Sequence, residues 1–317
     1  MPNRVLTVSK TLTNSLLGAG LIFLTMGCSP QQTAPQTDSQ ANELTDVAPL
    51  VMGGIPDQDP EKLQRLNEKL SAYLSAELEI PVDYQPVTDY TAAVTAFKVG
   101  DLDLVWFGGL TGVQARLQVD GAQAIAQRNI DEQFHSVFIA NTGAELSELN
   151  DISDLTQLKG RSLTFGSESS TSGRLMPQYF LQQAGVELSD FKGEVGFSGN
   201  HDATIKLVES GTYEVGALNE QVWQDRVADG SVDLTKVSLI WQTPAYYDYH
   251  WVINPAVDDR YGEGFTEKVQ AALLNLDPNL PEHKEILDLF GATEFIATEN
   301  DNYQQIEAVG RAIGKIQ

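Results

Sequence analysis

Cysteine is almost missing from this chain of 317 residues: Cys28 stands alone, so no internal disulfide can form. Basic residues are scarce too, 20 Lys and Arg against 44 Asp and Glu, for a net charge of −24. Such a surface argues against nucleic acid, whose phosphates require a basic face. The acidity reflects solubility, not the ligand. No G-x-S-x-G elbow, H-E-x-x-H, C-x-x-C or P-loop occurs, which leaves a secreted hydrolase, one rival reading, without its usual signatures. Neither a metal nor a cofactor is expected. Long apolar runs are missing as well: Leu16 to Thr25, broken by Gly18 and Gly20, is too short to cross a bilayer as a resident helix.

With Arg4 and Lys10 ahead of it, that short run reads instead as the core of a signal peptide over residues 1–27. It ends in Leu24-Thr25-Met26-Gly27-Cys28, which resembles the lipobox of bacterial lipoproteins, with Leu one place further from the cysteine than usual. That resemblance implies a lipid on Cys28 and a place in the periplasm or at the outer face of the cytoplasmic membrane, touched only through the anchor. Residues 28–48 are polar and contain Pro, as a solvated tether would be.

The chain as a whole has ordinary globular composition, and its length suits two domains. From residue 48 the pattern alternates strand and helix. Leu63, Leu66, Leu70, Leu74 and Leu78 form one stripe of a helix over 60–79, with Pro60 in its first turn. Asp89 caps a helix that runs to Val99 and stops at Gly100. Leu102–Phe107 reads as a buried strand meeting Gly108-Gly109. A second unit begins near 143, with Leu163–Phe165 as its first strand, helices at 174–184 and 201–209, and strands near 194–197 and 215–218. Two apolar runs within 236–253 read as the return crossing, and helices at 265–274, 283–290 and 302–314 pack on the first unit. The fold class is therefore α/β with mainly parallel sheets: lobe 1 over 49–142 and 246–317, lobe 2 over 143–245.

The most informative stretch is Leu163-Thr-Phe-Gly-Ser-Glu-Ser-Ser-Thr-Ser-Gly-Arg-Leu-Met-Pro177. A strand ends at Gly166, and Ser169 to Gly173 lead into an amphipathic helix. Helix N-termini leave backbone N–H groups unpaired and favour anions, and small hydroxyl residues add donors while letting an anion approach. On spacing alone the cluster is equally a plain N-cap. Together, Phe165–Gly173 and Asp103-Leu-Val-Trp-Phe-Gly108 resemble signatures of the phosphate, phosphite and phosphonate-binding proteins of ABC importers, the PhnD-like family, over residues 49–300. Gly53-Gly-Ile-Pro-Asp-Gln-Asp-Pro60 and Val105–Arg116 are similar to a branch labelled selenate-binding.

The resemblance implies a type II periplasmic binding protein: two α/β lobes, two crossings, and a cleft that captures a small tetrahedral oxyanion for a membrane permease, as a monomer. It makes Ser170, Thr171 and Ser172 the main donors, with Tyr90 contacting the ligand from the first lobe and His201 facing it. Glu220 and Asp248 match acids that contact the variable part of the ligand. Where phosphonate binders carry an aromatic pair, this chain has Phe134-His135, which exchanges a phenol for the His135 imidazole. Arg174, beside the Ser/Thr cluster, is a further candidate for the anion. An acid in such a cleft accepts from a protonated oxyanion and repels a fully ionised one, so Glu220 and Asp248 separate phosphorus ligands from sulfate or selenate. The same clamp would serve a tethered sensor that reports to a receptor.

Overall fold

A computed structural model describes residues 47–317. The expected signal peptide, Cys28 and nearly all of the tether lie outside the described residues.

Among the described residues, eleven strands form two sheets. In chain order they are β1 (Leu50–Gly54), β2 (Val82–Tyr84), β3 (Leu104–Phe107), β4 (Gln123–Arg128), β5 (Ser136–Asn141), β6 (Leu163–Phe165), β7 (Gly196–Phe197), β8 (Val215–Asn219), β9 (Val237–Gln242), β10 (His250–Ile253) and β11 (Phe295–Ala297). The first sheet has the order β11-β4-β10-β3-β1-β2, the second β7-β6-β8-β5-β9. The α-helices among the described residues number ten: α1 (Pro60–Leu78), α2 (Tyr90–Val99), α3 (Gly109–Arg116), α4 (Met176–Gln183), α5 (His201–Glu209), α6 (Glu220–Ala228), α7 (Ala256–Tyr261), α8 (Phe265–Leu274), α9 (Pro281–Phe290) and α10 (Gln304–Ala312).

The expected α/β class is what the chain adopts, for reasons visible in the residues. The Leu63–Leu78 stripe of α1 is buried, and the Asp59 carboxylate caps its start by accepting from Glu61 N and Lys62 N at 3.0 and 3.1 Å. Asp89 caps α2, and Gly100 ends it in the left-handed region at φ 82°.

Two features differ from the sequence reading. Each sheet has a parallel core crossed by antiparallel strands: β10 lies between β3 and β4, and β5 between β8 and β9. These are strands next to the crossings, where the chain changes sheet and must turn back. The second difference concerns the boundary expected at 142/143. β5 already pairs in the second sheet, so the first crossing runs between Arg128 and Ser136 and the second between Gln242 and His250. Continuous apolar character carries β5 through the periodicity without marking a domain change.

The two crossings touch one another. Phe134 and Tyr246 exchange both backbone bonds at 2.9 Å, and Asp248 N donates to Asp131 O. Arg128, at the end of β4, forks onto Asp131 at 2.6 and 2.7 Å. Its guanidinium lies over Trp106, Phe134 and Tyr249, 4.9–5.5 Å from their ring centres.

The lobes also meet across the cleft. Asp202 of α5 accepts from Asp59 N of the first lobe at 2.9 Å while Arg226 of α6 grips its carboxylate at 2.5 and 3.2 Å. Lys62 reaches Asp225 at 3.4 Å. Asp202 and Arg226 retain 24% and 16% of their side-chain exposure, so the clasp at the rim is partly screened. Asp202→Ala should favour the open form by about 1 kcal/mol and weaken ligand binding roughly fivefold without touching the ligand. Titration calorimetry alongside small-angle scattering tests this; unchanged affinity and radius of gyration would remove the clasp from the closure balance.

Candidate functional site

In α/β sheets the C-terminal ends of parallel strands expose loop and helix N-termini to a common crevice. Here four such ends face each other. Beyond β1 comes Asp57; beyond β3, Gly108 and the start of α3; beyond β6, the Ser170–Ser172 loop; and β8 ends in Asn219, followed by α6. Tyr90 opens α2 after its Asp89 cap.

Ser170, Thr171 and Ser172 are buried, each 2% exposed or less. The chain enters its helix through one wide π-type turn, Thr171–Leu175, with Leu175 N bonded to Ser170 O at 3.0 Å. The helix expected over 174–184 thus begins earlier and more loosely, as π-bulges at functional sites do. Ser170 Oγ caps the turn by accepting from Gly173 N at 2.9 Å. Thr171 Oγ1 crosses the cleft and accepts from Leu110 N of α3 at 2.9 Å. Beside it, Asp248 Oδ1 accepts from Gly109 N at 2.8 Å. Gly108 leaves room for this approach: a methyl there would sit 3.2 Å from Thr171 Oγ1, tight enough to press on it, and 3.4 Å from Asp248 Oδ1.

Buried polar atoms without a partner in this region include Tyr90 Oη, Ser172 Oγ and Asp248 Oδ2, with Arg174 Nε a fourth in the Thr171–Leu175 turn. Ser170 neighbours the Tyr90 hydroxyl, but no hydrogen bond of ordinary geometry joins the two. Burial holds the Tyr90 phenol well above its usual pKa, and the nearby Asp57 charge adds to this. The Asp248 carboxyl is pushed up to about 7 by burial, against the Gly109 N–H that stabilises its charge. An orphan buried hydroxyl or carboxylate oxygen costs about 1–3 kcal/mol. Tyr90 and Asp248 are close enough for their charges to interact, and with Ser172 of the neighbouring turn they offer two hydroxyl donors and one carboxyl oxygen, the chemistry that suits a small, oxygen-rich anion.

His201 is wholly buried at the first turn of α5, and burial lowers its pKa to about 4, so the ring is neutral. Nδ1 accepts from Asn219 N at 3.4 Å and Nε2 lies 3.3 Å from Tyr249 Oη. Tyr249 Oη donates to Asp57 Oδ2 at 2.8 Å and accepts from Asn219 Nδ2 at 3.0 Å. Asp57, Asn219 and Tyr249 thus join the candidate site although the sequence reading did not single them out. Asp57 had one available signal, its place between a parallel strand and a helix N-terminus.

The remaining candidates make contacts of their own. Glu220 is half-buried and accepts from Gln224 Nε2 of its own helix at 2.8 Å. His135 lies on the first crossing, with Nδ1 2.7 Å from Thr243 O. Arg174 is buried, bonded to the Gln178 side chain and stacked 4.5 Å over Phe165; burial lowers its pKa to about 10. Among the described residues no cluster of His, Cys, Asp and Glu could hold a metal ion.

Residues 52–303 match the family described as the periplasmic substrate-binding protein of phosphonate ABC transporters. The chain belongs to this family. It is 51% identical over 268 residues to a probable ABC transporter phosphite binding protein, PhnD1, of Prochlorococcus marinus, covering 84% of this chain and 90% of that one. The structure of that relative in complex with methylphosphonate superposes with a TM-score of 0.83, over 84% of this chain and 98% of the other. The phosphonates-binding periplasmic protein of Escherichia coli is 25% identical over 271 residues, 83% of this chain and 70% of its own. This phosphonate-binding family member is therefore a periplasmic substrate-binding component of an ABC transporter and not an enzyme. Its partners are a small ligand and a membrane permease, and its fold is the two-lobed type II one of its relatives.

Proposed function

We propose that the protein captures a small phosphorus oxyanion, a phosphonate or phosphite, between its lobes and delivers it to the permease as a lipid-anchored monomer held by Cys28. Three enclosed polar atoms without partners, Tyr90 Oη, Ser172 Oγ and Asp248 Oδ2, carry this reading. Tyr90 and the Ser170–Ser172 turn supply hydroxyl and backbone donors. Thr171 ties the loaded loop to α3 of the other lobe. Asp248 exchanges a proton with the ligand, and neutral His201 braces the second lobe. The relatives support the ligand class, since one is named for phosphite and its structure holds methylphosphonate.

A thermal-shift screen of the purified protein against phosphite, methylphosphonate, phosphate, sulfate and selenate tests the reading. A ligand that binds only the folded state raises the melting temperature by mass action, with about 2.7 kcal/mol of stabilisation at a hundredfold excess over Kd. Phosphite or methylphosphonate should give the largest shift. A larger shift with selenate, or none with any anion, would overturn the proposed ligand class.

A further inference from the structure

We propose that Asp57 is a second selectivity-determining acid of this site, which together with Asp248 rejects oxyanions that carry no proton in favour of those that do. The inference rests on the binding reading above and extends it to a residue outside the Ser/Thr cradle.

Asp57 follows β1 and is 2% exposed. Its backbone oxygen accepts from His201 N of the second lobe at 3.0 Å, which holds it at the junction of the lobes. Its Oδ2 accepts from Tyr249 Oη at 2.8 Å. Its charge reaches the orphan phenol of Tyr90. Burial raises its pKa, although the Tyr249 hydroxyl and the more distant Arg128 and Lys62 oppose this.

The charge balance decides what can enter. The Arg128 charge reaches both acids, but Asp131 engages it through both carboxylate oxygens; Arg174, buried in the Ser/Thr turn, is bonded to Gln178. Lys62 lies at the rim against Asp225. His201 is neutral, and Tyr90, Tyr246 and Tyr249 hold their phenolic protons because burial lifts their pKa values well above the usual range. Asp57 and Asp248 therefore have hydroxyl and amide donors but no cation of their own. A sulfate-like dianion entering here adds two charges to two enclosed acids, and each excess charge must be cancelled by a proton drawn from water. A phosphonate or phosphite monoanion brings a proton with it. Like charges in a desolvated site raise the cost for the first class only.

Asp57→Asn tests this, because the amide oxygen still accepts from Tyr249 while the charge is gone. Affinities for methylphosphonate, sulfate and selenate are measured by titration calorimetry at neutral pH. The variant should bind sulfate or selenate at least about tenfold better relative to methylphosphonate than wild type does, the equivalent of one pKa unit, or bind them where wild type shows no binding. An unchanged ratio overturns the inference, since a strut that only holds Tyr249 is preserved by the amide. Tyr249→Phe provides a second route if Asp57→Asn does not fold. It removes the donor that favours ionised Asp57, so the ratio should move the same way by a smaller factor; no movement would also overturn the role. If wild-type protein binds none of these anions, the binding reading itself fails. If wild type binds and Ser172→Ala weakens it, while the Asp57→Asn ratio stays put, only the role of Asp57 fails.

Discussion

Thr171→Ala combined with Ser172→Ala is expected to weaken methylphosphonate binding roughly a hundredfold, from about 1.5 kcal/mol for each charge-assisted hydrogen bond removed. The two hydroxyls contribute differently, and the single variants expose it. Ser172 Oγ is buried without a partner, so Ser172→Ala removes an unmet hydroxyl from the empty protein. The ligand-free melting temperature should stay level or rise slightly while affinity falls about tenfold. Thr171 Oγ1 already accepts from Leu110 N across the cleft. Thr171→Ala strands that N–H and takes away an interlobe contact, so it should weaken the closed form as well as the ligand contact. A double variant with unchanged affinity would place the anion somewhere other than this turn. Ser172→Ala that lowers ligand-free stability would mean its hydroxyl has a partner in solution.

The sequence made some of this arrangement readable because the information is local. The Ser169–Gly173 cluster, the Asp89 cap before Tyr90 and the Gly108-Gly109 pair each lie on one strand end or helix start, where residue type and backbone need coincide. The α1 stripe ends within one residue of its expected position. What escaped is non-local. Asp57, Asn219 and Tyr249 come from three separate segments, and only the fold brings them to one hydrogen-bonded group. Asn219 and Glu220 show the sensitivity involved. Neighbours at a strand-to-helix junction point in different directions, so Asn219 turns inward to Tyr249 while Glu220 bonds along α6 to Gln224. The first crossing was hidden for another reason: β5 is buried from Ser136 to Ala140 and carries no alternation that would tell one sheet from the next.

Asp248 should make binding depend on pH in a way that its amide does not. Its carboxyl is pushed up to about 7 by burial, with nearby Asp131 adding to the rise and Gly109 N–H, Thr171 and Arg128 opposing it. Tyr90, Tyr246 and Tyr249 facing it stay protonated, and His201 stays neutral, across this range. In the proposed binding mode, one proton then lies between Asp248 Oδ2 and the bound oxyanion. Once pH is high enough that both the free acid and free methylphosphonate have lost theirs, each binding event takes up a proton, and affinity should fall about tenfold per pH unit. Asp248→Asn keeps the oxygen that accepts from Gly109 N and offers a permanent N–H where the shared proton lay. Its affinity should level off in that alkaline range instead of falling. The ligand-free fold gives an independent reading. A folded pKa raised from 3.8 to about 7 means the folded state holds a proton that the unfolded chain has released. Asp248 therefore lowers stability as pH climbs from about 4 to about 7, and Asp248→Asn should flatten that decline; Asp57 and Asp131, also raised by burial, leave a residual slope. Binding of methylphosphonate whose alkaline fall is the same in wild type and Asp248→Asn would show that the shared proton sits elsewhere, and Asp248 would then be only the cap of α3.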